Sequence, residues 1–110
     1  MFYVYYVDGK KFTTDTFDKI PKNNISSPNE NIPAIEDRNT KYKEWCDKGN
    51  IIHRLTGPAI IHANGSEWFY LNNIFYENIR DWINNHPNPD LYFDAIGLTE
   101  TDRVLWFLQN

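Results

Sequence analysis

HRLTGPAIIHANGSEW, residues 53 to 68, is the stretch whose reading decides the fold. Its Asn64-Gly65 pair is a strong two-residue hairpin signal, because both central positions of a type I′ turn need positive φ, which Asn and Gly tolerate. A turn of that length predicts a register with Ala63 opposite Ser66, His62 opposite Glu67, Ile61 opposite Trp68, Ile60 opposite Phe69 and Ala59 opposite Tyr70. One face then carries Ala59, Ile61, Trp68 and Tyr70, and the other Ile60, His62, Glu67 and Phe69. Upstream, Gly57 permits a turn, and Pro58 fixes the entry to the next strand without needing an amide. On this reading the polar string is hairpin punctuation, and His62 has Glu67 as its cross-strand partner.

The hairpin belongs to an internal repeat. Glu44-Trp45 recurs as Glu67-Trp68, a spacing of 23 residues (68 − 45). EWCDKGNIIH (44–53) and EWFYLNNIFY (67–76) align without a gap, Gly49 and Asn72 falling at the turns. Turns at Lys48-Gly49 and Asn72-Asn73 extend the sheet into a meander with Glu44 near His53; a Gly49-Asn50 turn instead sets Cys46 opposite His53. A weaker third copy, YYVDGKKFT from Tyr5, makes an opening hairpin around Asp8-Gly9.

The remaining segments read more simply. Thr14 to Ile20 forms one helical turn, and residues 21–41, rich in Pro, Asn, Ser and charge, form a long surface loop that is functional or partly disordered. Ile79, Trp82 and Ile83 lie at helical spacing, with Asn85-His86-Pro87 as the stop. NPDLYFDAIG (88–97) reads as a loop or short turn. Thr99 is the N-cap of a last helix, with Asp102 three residues on. The apolar run Val104 to Leu108 is too continuous for a one-sided surface helix, so it is buried on two sides or docks on another chain. The expectation is one α+β domain, residues 1–110: an N-terminal hairpin and helical turn (1–20), a long loop (21–41), repeated hairpins (42–76) and a helical C-terminal part (77–110). Its architecture is an antiparallel β-meander of repeated hairpins with two flanking helices, the last at the C-terminus.

Bulk composition bounds the function. A chain of 110 residues supports one core, and at 41% hydrophobic and 16% aromatic residues it leaves some rings for the surface, which suggests a partner. The net charge of −4 argues against direct nucleic-acid binding. Cys46 stands alone, which excludes an internal disulfide and the usual thiolate zinc frameworks and fits a reducing compartment. The apolar stretch after Met1 is too short for a signal-peptide core or a membrane span, so a soluble, cytoplasmic protein is expected, in the host cytoplasm if viral.

Residues 42–68, YKEWCDKGNIIHRLTGPAIIHANGSEW, resemble MORN-type repeats in period, in the Glu-Trp pair and in the Gly and His that follow. The stretch is also similar to the "W…G…HR..GPA…NG…W" hairpin-repeat modules of small proteins of bacteriophages and large DNA viruses. Trp45 to Gly49 and Gly49 to His53 are each one residue longer than in the MORN pattern. The resemblance implies a hairpin repeat used for binding or scaffolding in viral accessory proteins, with no catalytic residues. It gives Trp45, Gly49, His53, Arg54, Gly57, Pro58, Gly65 and Trp68 a mainly structural role.

Residue chemistry leads the same way. His53 and His62, each with a Glu expected across the strand, supply two pairs, short of the three or four convergent ligands of a zinc site. Cys46 as a nucleophile lacks a third, orienting group. Arg54 either clamps an anion or stacks on a Trp and ties down loop carbonyls. The expectation is therefore no catalytic residue, metal or cofactor. Trp45, Arg54, Trp68, Tyr70 and Trp106 are the candidate binding residues, and Gly49, His53, Gly57, Pro58, Asn64 and Gly65 are structural. The leading function is a non-enzymatic protein–protein interaction module, a phage or viral accessory protein that modulates or inhibits a host defence protein. Its rivals are a small hydrolase or nuclease using His53, His62 and Glu67, and an acidic nucleic-acid mimic in a basic groove. Open sheet edges leave a homodimer available.

Overall fold

The β-branched and aromatic opening run forms a hairpin, β1 (Tyr3–Val7) and β2 (Lys10–Thr14), with Val7 opposite Lys10. Asp8 and Gly9 both take positive φ, 50° and 78°, as a type I′ turn requires. The structure is a computed structural model and describes residues 2–109. A 3₁₀ turn (Phe17–Lys19) leads to β3 (Ile35–Asp37) and β4 (Lys43–Glu44), followed by β5 (Cys46–Asp47) and β6 (Ile51–Ile52). The chain continues through β7 (Ile60–Ile61), β8 (Glu67–Leu71) and β9 (Ile74–Tyr76) to α1 (Ile79–Asn85), α2 (Asp90–Ala95) and α3 (Glu100–Gln109). The fold is α+β: a seven-stranded antiparallel sheet in the order β2-β1-β3-β4-β7-β8-β9, with β5 and β6 forming a separate hairpin.

Several expectations are corrected. The sheet is not a pure meander, because β3 pairs with β1. That strand arises inside residues 21–41, where a surface loop was expected, and Ile25, Ala34 and Ile35 are buried. Their spacing follows no period, so only tertiary packing reveals them as core. A third helix, α2, stands where a loop or short turn was expected; six residues are too few to show helical periodicity, and burial of Phe93 holds the helix in place. The last helix begins as expected, Thr99 Oγ1 accepting from Asp102 N at 3.2 Å and Asp102 Oδ2 from Thr99 N at 3.1 Å.

The Asn64-Gly65 register is also corrected, by one residue: Ile60 lies opposite Trp68 and Ile61 opposite Glu67. His62 N donates to Ser66 O and Gly65 N to His62 O, both at 2.9 Å, so the loop has three residues, not two. Of these, Gly65 takes positive φ (89°) and Asn64 does not, which gives a type I turn closed by a left-handed glycine. In the first repeat Cys46 faces Ile52, and His53 N donates to Trp45 O at 3.3 Å. His53 is therefore opposite Trp45, neither Glu44 nor Cys46.

Cross-strand partners share a face, so these registers sort the side chains. One face, here the first, carries Tyr3, Tyr5, Ile35, Glu44, Ile60, Trp68, Tyr70 and Phe75. The second carries Val4, Glu36, Lys43, Ile61, Glu67, Phe69 and Leu71. Ile20, Ile25 and Ala34 cover the first face at the β1–β3 end, packing with Ile35, Cys46, Tyr3 and Tyr5. The helices cover the second face at the β8–β9 end, where Trp82, Ile83 and Phe93 pack with Leu71, Phe69 and Tyr76. Each fully buried side chain of this size contributes about 1.5–3 kcal/mol. The two covers lie on opposite faces at opposite ends; beyond them the first face exposes Trp68 and Phe75, and the second leaves Glu36 and Lys43 half-buried beside the buried Val4.

Candidate functional site

The open half of the first face carries a row of aromatic side chains. Trp68 and Tyr70 alternate along β8, and Phe75 sits opposite Tyr70 on β9, its ring centroid 5.4 Å from Tyr70 and 5.3 Å from Trp68. His62 packs edge-on against Trp68 at 4.2 Å, and Tyr42 lies 5.8 Å beyond it. Trp68 is 41% and Phe75 44% exposed. The row is braced from behind: Trp82 Nε1 donates to Tyr70 O at 3.2 Å, and the Asn72-Asn73 turn has positive φ at both residues. At one end lies a basin of about 600 Å³ lined by Asp37, Thr40, Tyr42, His62 and Trp68. Rigid π faces open to water accept cationic groups at about 0.5–1 kcal/mol each, and apolar side chains through area burial.

Trp45 and Arg54, also expected to bind, are used internally. Trp45 is 3% exposed and donates from Nε1 to Glu30 O at 3.0 Å. The Arg54 guanidinium lies 3.8 Å over the Trp45 ring, and it donates from Nε to Glu30 O (3.0 Å) and from Nη1 to Pro58 O (3.1 Å). Burial lowers its pKa, opposed by Glu30 and Glu67, and an arginine so held stays charged. Gly57 does not serve a left-handed turn. A Cβ there would stand 3.0 Å from Arg54 Nη1, so a side chain at this position would press on the clamped guanidinium and need it to shift by a few tenths of an ångström. Glu30 completes the assembly, accepting at Oε1 from Leu55 N (2.7 Å), Thr56 N (2.9 Å) and Thr56 Oγ1 (3.1 Å).

The reactive groups do not converge. His62 alternates with Ile61 and points to the first face, whereas Glu67 pairs with Ile61 on the second. His53 Nδ1 accepts from Asn72 N at 2.9 Å, tying β6 to the β8–β9 turn. His86 contacts Leu55 O through Nε2 at 2.7 Å and accepts at Nδ1 from Asn88 N at 2.9 Å, so its ring is neutral with the proton on Nε2; burial lowers its pKa. Cys46 is fully buried, and burial, with Glu44 and Asp47 nearby, pushes its thiol up to about 12, far from a thiolate nucleophile. Among the described residues no group of three or more His, Cys, Asp or Glu is placed to hold a metal ion, and no helix is long and apolar enough to cross a membrane. Acidic side chains are interspersed with cations: Lys43 pairs with Glu36, Lys48 with Asp8, and Arg103 with Asp90 and Asp94.

Trp106 rests on Phe93 and Phe107, while the outer side of α3 exposes Val104, Leu105 and Leu108. Sequence reasoning missed Glu30, whose partners are 25 and 26 residues away. It also missed Phe75, Tyr42 and His62 as members of the row. Phe75 aligns with Ile52 in the repeat and was legible as a strand position, but its face depended on register.

Comparison with protein-family models, curated proteins and solved structures found no match.

Proposed function

We propose that this protein is a non-enzymatic binding module whose working surface is the aromatic row of Trp68, Tyr70 and Phe75, and whose partner is a protein presenting basic side chains. The observation that carries this reading is the open aromatic half-face. Phe2, Phe12, Phe17 and Phe107 are also exposed, but Trp68 and Phe75 stand with Tyr70 in one contiguous row on the sheet, while Trp45, Trp82 and Phe93 are buried. A chain of net charge −4 draws basic surfaces, and Arg and Lys side chains are the natural occupants of exposed π faces. Tyr and Trp on strands present wide contact at low entropic cost, as interface anchors do. The resemblance to phage and viral hairpin modules extends the proposal to an accessory protein that modulates a host defence factor.

The test is capture of partners from host lysate on the immobilised chain, alongside a Trp68→Ser/Phe75→Ser variant and a Leu108→Ser variant. A basic protein retained by the wild type and by Leu108→Ser, lost by the row variant and weakened by added salt, is the expected result. Loss with Leu108→Ser instead moves the surface to α3, and equal retention by all three removes the row from function.

A further inference from the structure

A second concavity lies on the first face, under the segment that covers the β1–β3 end. It is a groove of about 550 Å³, with Ile35, Tyr42 and Glu44 on one side and Phe17, Ile20 and Ile25 on the other. Ile35 and Glu44 are cross-strand partners, so a carboxylate stands beside an aliphatic side chain, facing a segment that carries Phe17, Ile20 and Ile25 together with Asp18 and Lys22. Tyr42 OH donates to Glu44 Oε1 at 3.0 Å. Among the described residues nothing donates to Oε2, and this oxygen is not sealed from solvent. Burial raises the Glu44 carboxyl above its ordinary value against the opposing Tyr42 hydrogen bond, so a cation placed there recovers the cost of the buried charge. Lys22 also lines the groove together with Asp18, but it pairs with neither carboxylate among the described residues. With both acids ionised the groove is net negative. Its volume lies in the range of small-molecule sites, which combine apolar walls with a few polar groups that fix orientation.

We infer that this groove binds a small organic ammonium ion, its charged head on Glu44 and its alkyl or aryl body against Phe17, Ile20 and Ile25. The groove meets the aromatic row at Tyr42, but Trp68, Tyr70 and Phe75 do not line it.

The experiment titrates the full chain with n-hexylammonium, hexan-1-ol and hexanoate, following backbone amide shifts. Saturable shifts around residues 17–25 and 42–44 with the ammonium ion, and not with the alcohol or carboxylate, are expected. Glu44→Gln keeps an acceptor for Tyr42 and relieves a buried charge, so it folds, and it weakens hexylammonium by about tenfold or more, the size of one charge-assisted contact. Phe17→Ser, at an exposed wall position, also weakens it, while Trp68→Ser leaves it unchanged. Equal binding of hexan-1-ol, unchanged binding in Glu44→Gln, or the absence of saturation overturns the inference.

Discussion

The two half-faces of the sheet that lie away from the main covers have the same backbone and the same alternation, and opposite chemistry. Over β3 and β4 the second face ends in Glu36 and Lys43, an ion pair at 3.7 Å. Over β8 and β9 the first face ends in Trp68, Tyr70 and Phe75. A solvated sheet face needs only polar residues to stay soluble, so folding accounts for the first chemistry and leaves the second unexplained. Folding also used the repeat unequally. Trp45 and Trp68 occupy equivalent positions, yet Trp45 is clamped under Arg54 while Trp68 faces water. The copy contacted by residues 21–41 became core, and the copy backed by the helices kept its outer face open.

The largest test of this comparison is Trp82→Ala. Trp82 is fully buried between Phe69, Tyr92 and His86, and its indole N–H holds the Tyr70 carbonyl. Its truncation should cost about 3–5 kcal/mol by urea denaturation and loosen the aromatic row from behind. Glu30→Ala acts on the other half: the Leu55 and Thr56 amides lose a charged acceptor, for an expected loss of about 2–3 kcal/mol. A loss near zero would mean that the contact of Glu30 with the HRLTGPA turn is incidental.

His86 joins the two halves, because Leu55 gives its N–H to Glu30 and its carbonyl to the His86 ring. Its pKa is lowered in the folded chain, chiefly by burial, from an ordinary value of 6.5. The native state therefore takes up its proton less readily than the unfolded chain. The associated stability is present in full above 6.5 and is lost as pH falls through the lowered folded value. Protonation also removes the Nδ1 acceptor for Asn88 N, so a decline of about 1 kcal/mol is expected in acid. Denaturation midpoints that fall as much in His86→Gln as in the wild type would assign the effect elsewhere.

The smallest expected effect addresses the comparison most directly. Glu36→Ser, at a half-buried surface ion pair, and Trp68→Ser/Phe75→Ser, at exposed positions, should each change stability by less than about 1 kcal/mol. Only the aromatic pair should alter partner capture. A large stability loss from the aromatic variant would make the row a structural element and close the comparison.

The sequence by itself determined the features whose causes lie within a few residues. The Asp8-Gly9 and Asn72-Asn73 turns follow from residues that tolerate positive φ. The Thr99–Asp102 capping box is a contact three residues long, and the Ile79, Trp82, Ile83 face of α1 follows from helical period. Tertiary structure decided the rest. Asn64-Gly65 is compatible with a two- or a three-residue loop; the observed loop is closed by Asn64 Oδ1 accepting from Ser66 N, and its register puts Trp68 beside Ile60. That single-residue shift chose the face on which Trp68, Tyr70 and Phe75 lie, separated His62 from Glu67 and so defined the candidate site. Glu30 and Gly57 likewise have roles that exist only once the chain from 21 to 41 crosses the HRLTGPA turn. Glu30 recruits amides 25 and 26 residues away, and Arg54 passes so close to Gly57 that an added Cβ would press on its guanidinium.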